Sequence, residues 1–62
     1  MKPETAIIRE RKRGDFTILT IDTEKAKYQS HYWRAMGDYG KRKFENWLVM
    51  TRSKERLLFY YV

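Results

Sequence analysis

The chain has 62 residues, with 14 lysines and arginines against 8 aspartates and glutamates, and a net charge of +6. This length allows one domain, residues 1–62, with a small core, and the absence of cysteine excludes disulfides and thiolate zinc sites. The excess of positive charge favours anionic partners, namely nucleic acid, an acidic protein surface or anionic lipid.

The sequence carries no sign of a membrane or secretory protein. No apolar run approaches the ~20 residues that a membrane-spanning helix needs, and residues 1–4 (MKPE) do not begin a signal peptide. Together with the lack of cysteine, these features predict a cytoplasmic protein that does not bind membranes.

The first part of the chain predicts an antiparallel pair of strands. Residues 5–10 (TAIIRE) and 15–21 (DFTILTI) are rich in strand-favouring side chains. Residues 11–14 (RKRG) form the predicted turn, in which Gly14 supplies a positive φ. Alternation in the second strand places one set of side chains on each face: Phe16, Ile18 and Thr20 on one, Thr17, Leu19 and Ile21 on the other.

Residues 23–36 predict a helix that crosses the sheet. Asp22 is a capping residue, Glu24 places an acid in the first turn, and Gly37 can end the helix in the left-handed conformation. Apolar and aromatic side chains recur at helical spacing: Tyr28, Tyr32 and Met36. The alternative is a strand over residues 27–36, which makes the fold all-β.

Residues 44–62 hold the densest aromatic and apolar content and predict a second hairpin. Strand-favouring residues flank a polar stretch at 51–54, whose length suits a loop built on a type I turn. A helix is the alternative, because four side chains recur at i, i+3, i+4 and i+7: Phe44, Trp47, Leu48 and Thr51. Aromatic and β-branched residues cost helix stability, so the hairpin is preferred.

The last predicted strand carries apolar side chains on both faces. Leu57, Phe59 and Tyr61 point to one face, and Leu58, Tyr60 and Val62 point to the other. One helix cannot cover both faces of a small sheet. We therefore expect the second set to form an interface with a partner or with a second copy in a homodimer.

Together, these elements predict a small α+β domain. Its sheet is antiparallel-rich, with about four strands and one helix in the order ββαββ. The alternative, with residues 27–36 as a strand, is a five-stranded all-β meander or SH3-like barrel.

Three groups of cations lie at or beside predicted connections. They are Arg11, Lys12 and Arg13; Lys41, Arg42 and Lys43; and Arg52, Lys54 and Arg56. Counting chain reversals, we expect the first two groups at one end of the sheet and the third at the other. The resulting basic pole would contact phosphates through six cations, and Tyr39 among them would stack on a base.

The sequence contains no catalytic, metal or cofactor signature. His31 is the only histidine, whereas a zinc site needs several histidine or cysteine ligands. Ser30 is adjacent in sequence and points elsewhere on a helix or a strand, so it forms no nucleophile relay with His31. We therefore predict a protein that is not an enzyme and has no cofactor.

Two functions are consistent with these patterns. The first is that of a small basic accessory or regulatory protein that binds DNA or RNA through its two basic turns, as a homodimer. The alternative is a protein-binding inhibitor or adaptor that docks its aromatic C-terminal strand on a partner with an acidic surface.

Overall fold

The computed structural model describes residues 3–62, with the side chains of residues 5–31 and 33–62. It is a small α+β fold in which helices cover one face of a three-stranded mixed sheet. After a 3-10 turn at Pro3–Ala6, the elements are β1 (Ile7–Arg13), β2 (Phe16–Ile21), α1 (Thr23–Gln29), α2 (His31–Met36), α3 (Asp38–Thr51) and β3 (Arg56–Tyr61). The prediction that no signal peptide is present falls partly on residues 1–2, outside the described residues.

The predicted first hairpin is present, but its turn is shorter than expected. Arg13 pairs with Phe16, so that only Gly14 and Asp15 connect β1 to β2. Gly14 has a φ of 60°, and no residue other than glycine has a positive φ in the described chain. This is the pattern of a type II′ turn, whose twist matches that of the strands. The prediction that residues 11–14 form the turn is therefore wrong, because strand pairing extends to Arg13, the last cation of that segment.

The predicted helix over residues 23–36 is two helices separated by Ser30. The Asp22 side chain caps α1 by accepting a hydrogen bond from the Lys25 N–H at 3.1 Å. The Ser30 hydroxyl caps α2 by accepting from the Trp33 N–H at 3.2 Å. α2 ends at Gly37, where φ is 56°. The alternative strand over residues 27–36 is wrong.

The predicted second hairpin is also wrong, because Asp38–Thr51 is a helix. Gly40, Phe44 and Leu48 recur every four residues and are buried. The Phe44 ring lies 5.5 Å from the ring of Trp33, centre to centre. Burial of this stripe stabilises α3 by more than its aromatic and β-branched residues cost in helix propensity.

The strand that follows α3 joins the sheet parallel to β2. Phe16 pairs with Arg56 and Ile21 with Tyr61, and the strand order is β1-β2-β3. The helices carry the chain back to the end at which β2 begins, which a parallel pair requires. The predicted four strands in ββαββ order are therefore not found in the described residues, and the fold is not a barrel.

The core lies between the sheet and the helices. Its buried apolar residues are Ala6, Leu19, Ile21, Ala26, Trp33, Phe44 and Leu48. In the predicted helical stripe, Tyr28 and Met36 are 66% and 52% exposed, and the side chain of Tyr32 lies outside the described residues.

No helix among residues 3–62 combines the length and the apolar character needed to cross a membrane.

Candidate nucleic-acid interface

One face of the sheet remains exposed, while the other packs against the helices. Burial alternates along the strands: Leu19 and Ile21 are fully buried, whereas Leu58 and Tyr60 are 47% and 61% exposed. We call the exposed surface the open face. By strand, its side chains are Ile8, Arg9, Arg11 and Arg13; Phe16, Ile18 and Thr20; and Arg56, Leu58, Tyr60 and Val62.

The strand register arranges most of the open face in three rows of three side chains. The rows are Arg13, Phe16 and Arg56; Arg11, Ile18 and Leu58; and Arg9, Thr20 and Tyr60. Successive rows lie about 7 Å apart along the strands, and neighbouring strands lie about 5 Å apart. β1 therefore contributes one arginine to every row, in a column along the edge of the sheet.

Arg9, Arg11, Arg13 and Arg56, the four arginines of the open face, are not neutralised by any carboxylate that the structure describes. None of them forms an ion pair with a residue that the structure describes. None of the strands places an acid on this face, because the one acid in β1, Glu10, pairs with buried Leu19 on the helix side. Two unit charges about 7 Å apart repel by about 0.6 kcal/mol in water, and an anion beside the column would offset this repulsion.

The first and the third row each contain an exposed aromatic ring. Phe16 is 38% exposed between the two arginines of its row, and Tyr60 is 61% exposed in the third row. Tyr60 borders a groove of about 530 Å³ whose other lining residues are Ile8, Arg9, Arg11, Ile18, Thr20 and Val62. Exposed aromatic rings beside cations are the combination that binds bases and phosphates together.

Carboxylates neutralise cations on the helix side of the sheet. Glu55 accepts a hydrogen bond from the Thr17 hydroxyl at 2.9 Å and lies 3.9 Å from the Lys12 ammonium. Arg52, at the end of α3, pairs with both Glu10 and Glu55. Strand alternation thus places Lys12 on the side opposite to the two arginines that flank it in the sequence.

The predicted basic pole is wrong, because the second basic cluster lies at the other end of the sheet. The Lys41 ammonium lies 4.3 Å from the centre of the Tyr61 ring. Tyr61 pairs with Ile21, whereas Arg13 pairs with Phe16 at the opposite end of β2. The two ends of β2 are about 17 Å apart.

Around the second cluster, positive charge is mixed with negative charge. Asp38 and Glu45 border one surface depression together with Lys41 and Arg42. The Lys43 ammonium lies 5.4 Å from the centre of the Tyr39 ring. Tyr39 is 54% exposed, but it lies with this cluster and not among the cations of β1.

The third basic cluster, Arg52, Lys54 and Arg56, lies at the hairpin end of the sheet. The second cluster was predicted to lie there. Arg56 begins β3 beside Phe16, and Arg52 pairs with Glu10 of β1. The reason is that α3 takes the place of a predicted strand and β3 runs parallel to β2. Together these two differences move residues 52–56 to the hairpin end of the molecule.

The Tyr61 side chain of β3 contacts α3 on the helix side of the sheet. Its hydroxyl donates a hydrogen bond to the Glu45 carboxylate, and its ring packs edge-on against Trp33 at 5.5 Å between centres. Burial raises the pKa of Tyr61 well above its usual value, and the bond to Glu45 raises it further. Neutral Tyr61 therefore has a structural role as a hydrogen-bond donor.

The described side chains, those of residues 5–31 and 33–62, form no metal-binding cluster. No three histidine, aspartate or glutamate side chains in this part of the chain are grouped so that they could hold a metal ion. His31 is exposed, with Nδ1 3.5 Å from Nη2 of Arg34. The Ser30 hydroxyl is engaged in capping α2 and not in a relay with the histidine.

The predicted interface residues lie together with cations that sequence reasoning did not group with them. Leu58, Tyr60 and Val62 are exposed, as their alternation predicts, and all three lie on the open face. Arg9 and Arg56 share this face but were absent from the predicted site. The available signal for Arg9 was the strand period, since arginine occupies every second position from Arg9 through Arg13.

No model of a known protein family matches the chain, and no curated protein or solved structure is significantly similar to it. No residue of the open face therefore receives a role from a relative. The column of arginines suits an extended anion, and the exposed rings suit flat apolar groups beside it.

Proposed function

We propose that this protein is a small cytoplasmic accessory or regulatory protein that binds nucleic acid and catalyses no reaction. The observation that carries the proposal is the column of arginines along β1, which lies beside exposed aromatic rings on a face where none of the strands places an acidic side chain. Nucleic acid is a polymer that repeats phosphates along a line and offers bases next to them.

The chemistry of arginine suits this role. A guanidinium group is planar, always charged at neutral pH and able to donate two parallel hydrogen bonds to one phosphate. Every phosphate that is neutralised releases counterions, so that affinity falls as salt rises. Four such contacts predict a slope of log K against log salt of about −3 on a single strand and about −4 on duplex DNA.

The proposed contact residues differ in part from those expected from the sequence. Arg11 and Arg13 remain in the site, and Arg9 and Arg56 join them on the open face. Lys12 lies on the helix side, 3.9 Å from a Glu55 carboxylate oxygen. The cluster around Lys41, Arg42, Lys43 and Tyr39 becomes a separate auxiliary contact, since acids lie among its cations.

A protein-binding inhibitor or adaptor is the second candidate function. It is favoured by the exposed apolar side chains of Leu58, Tyr60 and Val62, which lie on an edge strand that a partner strand could extend. The arginines favour an acidic partner surface. A homodimer through the same face is less favourable, because it would bring two sets of four arginines together without an acid between them.

Two triple variants with the same loss of charge test the proposal. The first replaces Arg9, Arg11 and Arg13 by alanine, and the second replaces Lys41, Arg42 and Lys43 by alanine. Binding of fluorescently labelled DNA and RNA is measured for both and for the wild type across a salt series. The first variant should lose most of the affinity, and its salt slope should be shallower by about 2. The second should change both quantities much less.

Each variant loses three positive charges, so a difference between their affinities depends on where those charges lie. Equal losses in the two variants would mean that net charge alone attracts nucleic acid, and would overturn the assignment to the open face. Absence of wild-type binding at about 50 mM salt, where phosphate contacts are strong, would overturn the function itself and favour the protein-binding alternative. Circular dichroism of each variant verifies that the fold persists.

A further inference from the structure

We infer that the open face binds single-stranded nucleic acid, with one nucleotide on each of its three rows. This inference rests on the proposed function and adds the class of nucleic acid and its orientation. Each row combines one arginine of β1 with a surface on β2 and β3 that a base can cover. The sugar-phosphate chain would follow β1, and the bases would extend across the other two strands.

The base contacts differ from row to row. In the first row a base can stack on Phe16, and in the third a base can stack on Tyr60. The two rings are about 14 Å apart, given four residues along the strand and one step across it. This distance spans two row repeats and leaves room for a middle base, which would cover Ile18 and Leu58 of the second row.

A duplex fits this face less well than a single strand. The major groove of B-DNA admits a helix or a two-stranded ribbon, whereas the open face is three strands wide. The bases of a duplex are stacked on one another, so that a duplex would engage the arginines and leave Phe16 and Tyr60 uncovered. A single strand offers unstacked bases that cover both rings.

The charge of the face also favours a single strand over a second copy of this chain. Four arginines lie on the face, and none of its strands places an acid there. A second copy would therefore add like charge, whereas a nucleic-acid strand adds one negative charge per nucleotide. Charge complementarity and the two exposed rings thus point to the same occupant.

The test keeps the charges and changes the rings. Phe16→Leu and Tyr60→Leu remove the stacking surfaces, and Tyr28→Leu on α1 is the matched control. Tyr28 is also an exposed ring, 66% exposed, with the Arg34 guanidinium 5.8 Å from its centre. The probes are a thymidine homopolymer, a uridine homopolymer and a mixed-sequence duplex of the same length, titrated at one low salt concentration and across a salt series.

We expect wild-type protein to bind at least one homopolymer more tightly than the duplex. Each of the two open-face variants should lose about 5- to 100-fold in single-strand affinity, with an unchanged salt slope because no cation is removed. Tyr28→Leu should bind as the wild type does. Stoichiometric titration of the long homopolymer should give a site of at least three nucleotides, one per row.

The possible failures separate this inference from the function on which it rests. If the duplex binds as tightly as the homopolymers and the two leucine variants bind normally, the single-strand inference is overturned, while loss of binding in the arginine variant would still support the proposed function. If no probe binds, both fail. A dimer that Tyr60→Leu dissociates, in protein that binds no single strand, would assign the face to self-association and overturn the inference.

Discussion

Replacing Leu48 or Met50 by alanine, one at a time, tests whether residues 38–51 form a helix that packs on the sheet. In a strand the two side chains share a face, because they are two residues apart; in a helix they point about 200° apart. In the structure Leu48 is fully buried and Met50 is 77% exposed. A helix therefore predicts very unequal losses of stability from these two truncations.

The size of the expected difference follows from burial. Truncating a buried leucine to alanine costs about 2.7–5 kcal/mol, whereas an exposed substitution changes stability by less than about 0.5 kcal/mol. A domain of 62 residues has a free energy of unfolding of about 3–9 kcal/mol, at about 0.05–0.15 kcal/mol per residue. Leu48→Ala should thus remove a large part of the total stability, and Met50→Ala should remove little of it.

Urea denaturation followed by tryptophan fluorescence measures both losses. Trp33 is buried against Phe44 of α3 and reports the loss of the packed core. If the two variants lose equal stability, residues 38–51 do not have one buried and one exposed helical face. A loss below about 1 kcal/mol for Leu48→Ala would mean that this side chain does not fill the core.

Two further predictions concern hydrogen bonds within the fold. The raised pKa of Tyr61 means that the folded state holds the hydroxyl proton more tightly than the unfolded state does. The free energy of unfolding therefore falls as pH rises above about 10, by up to about 1.4 kcal/mol per pH unit. Tyr61→Phe should make that decline shallower in urea titrations, and an unchanged pH profile would contradict the raised pKa of Tyr61. Ser30→Ala should cost about 1 kcal/mol by removing the cap of α2, as measured by urea denaturation. Ser53→Ala, in the exposed turn before β3, is the control, and an equal loss in both variants would argue against the cap.

Local signals were sufficient for several parts of the structure. The alternation in β2 correctly divided its side chains between two faces, although it did not show which face is buried, and Asp22 correctly marked the start of α1. Gly14 and Gly37 have the positive φ values expected of them. The two-sided character of β3, with Tyr60 exposed, was also visible in the sequence. These features depend on capping, on backbone sterics and on the strand period, all of which act over a few neighbouring residues.

The identity of α3 and the places of the second and third basic clusters depended on tertiary structure. Residues 44–51 fit both a helix and a strand, and packing of Phe44 against Trp33 stabilises the helix. This one choice, with the parallel addition of β3, determines which end of the sheet receives residues 41–43 and which receives residues 52–56. The sequence by itself determined the number and type of charges and the strand period that separates Lys12 from its neighbours. Their arrangement into an open face required contacts between residues far apart in the chain, and local propensity carries no information on such contacts.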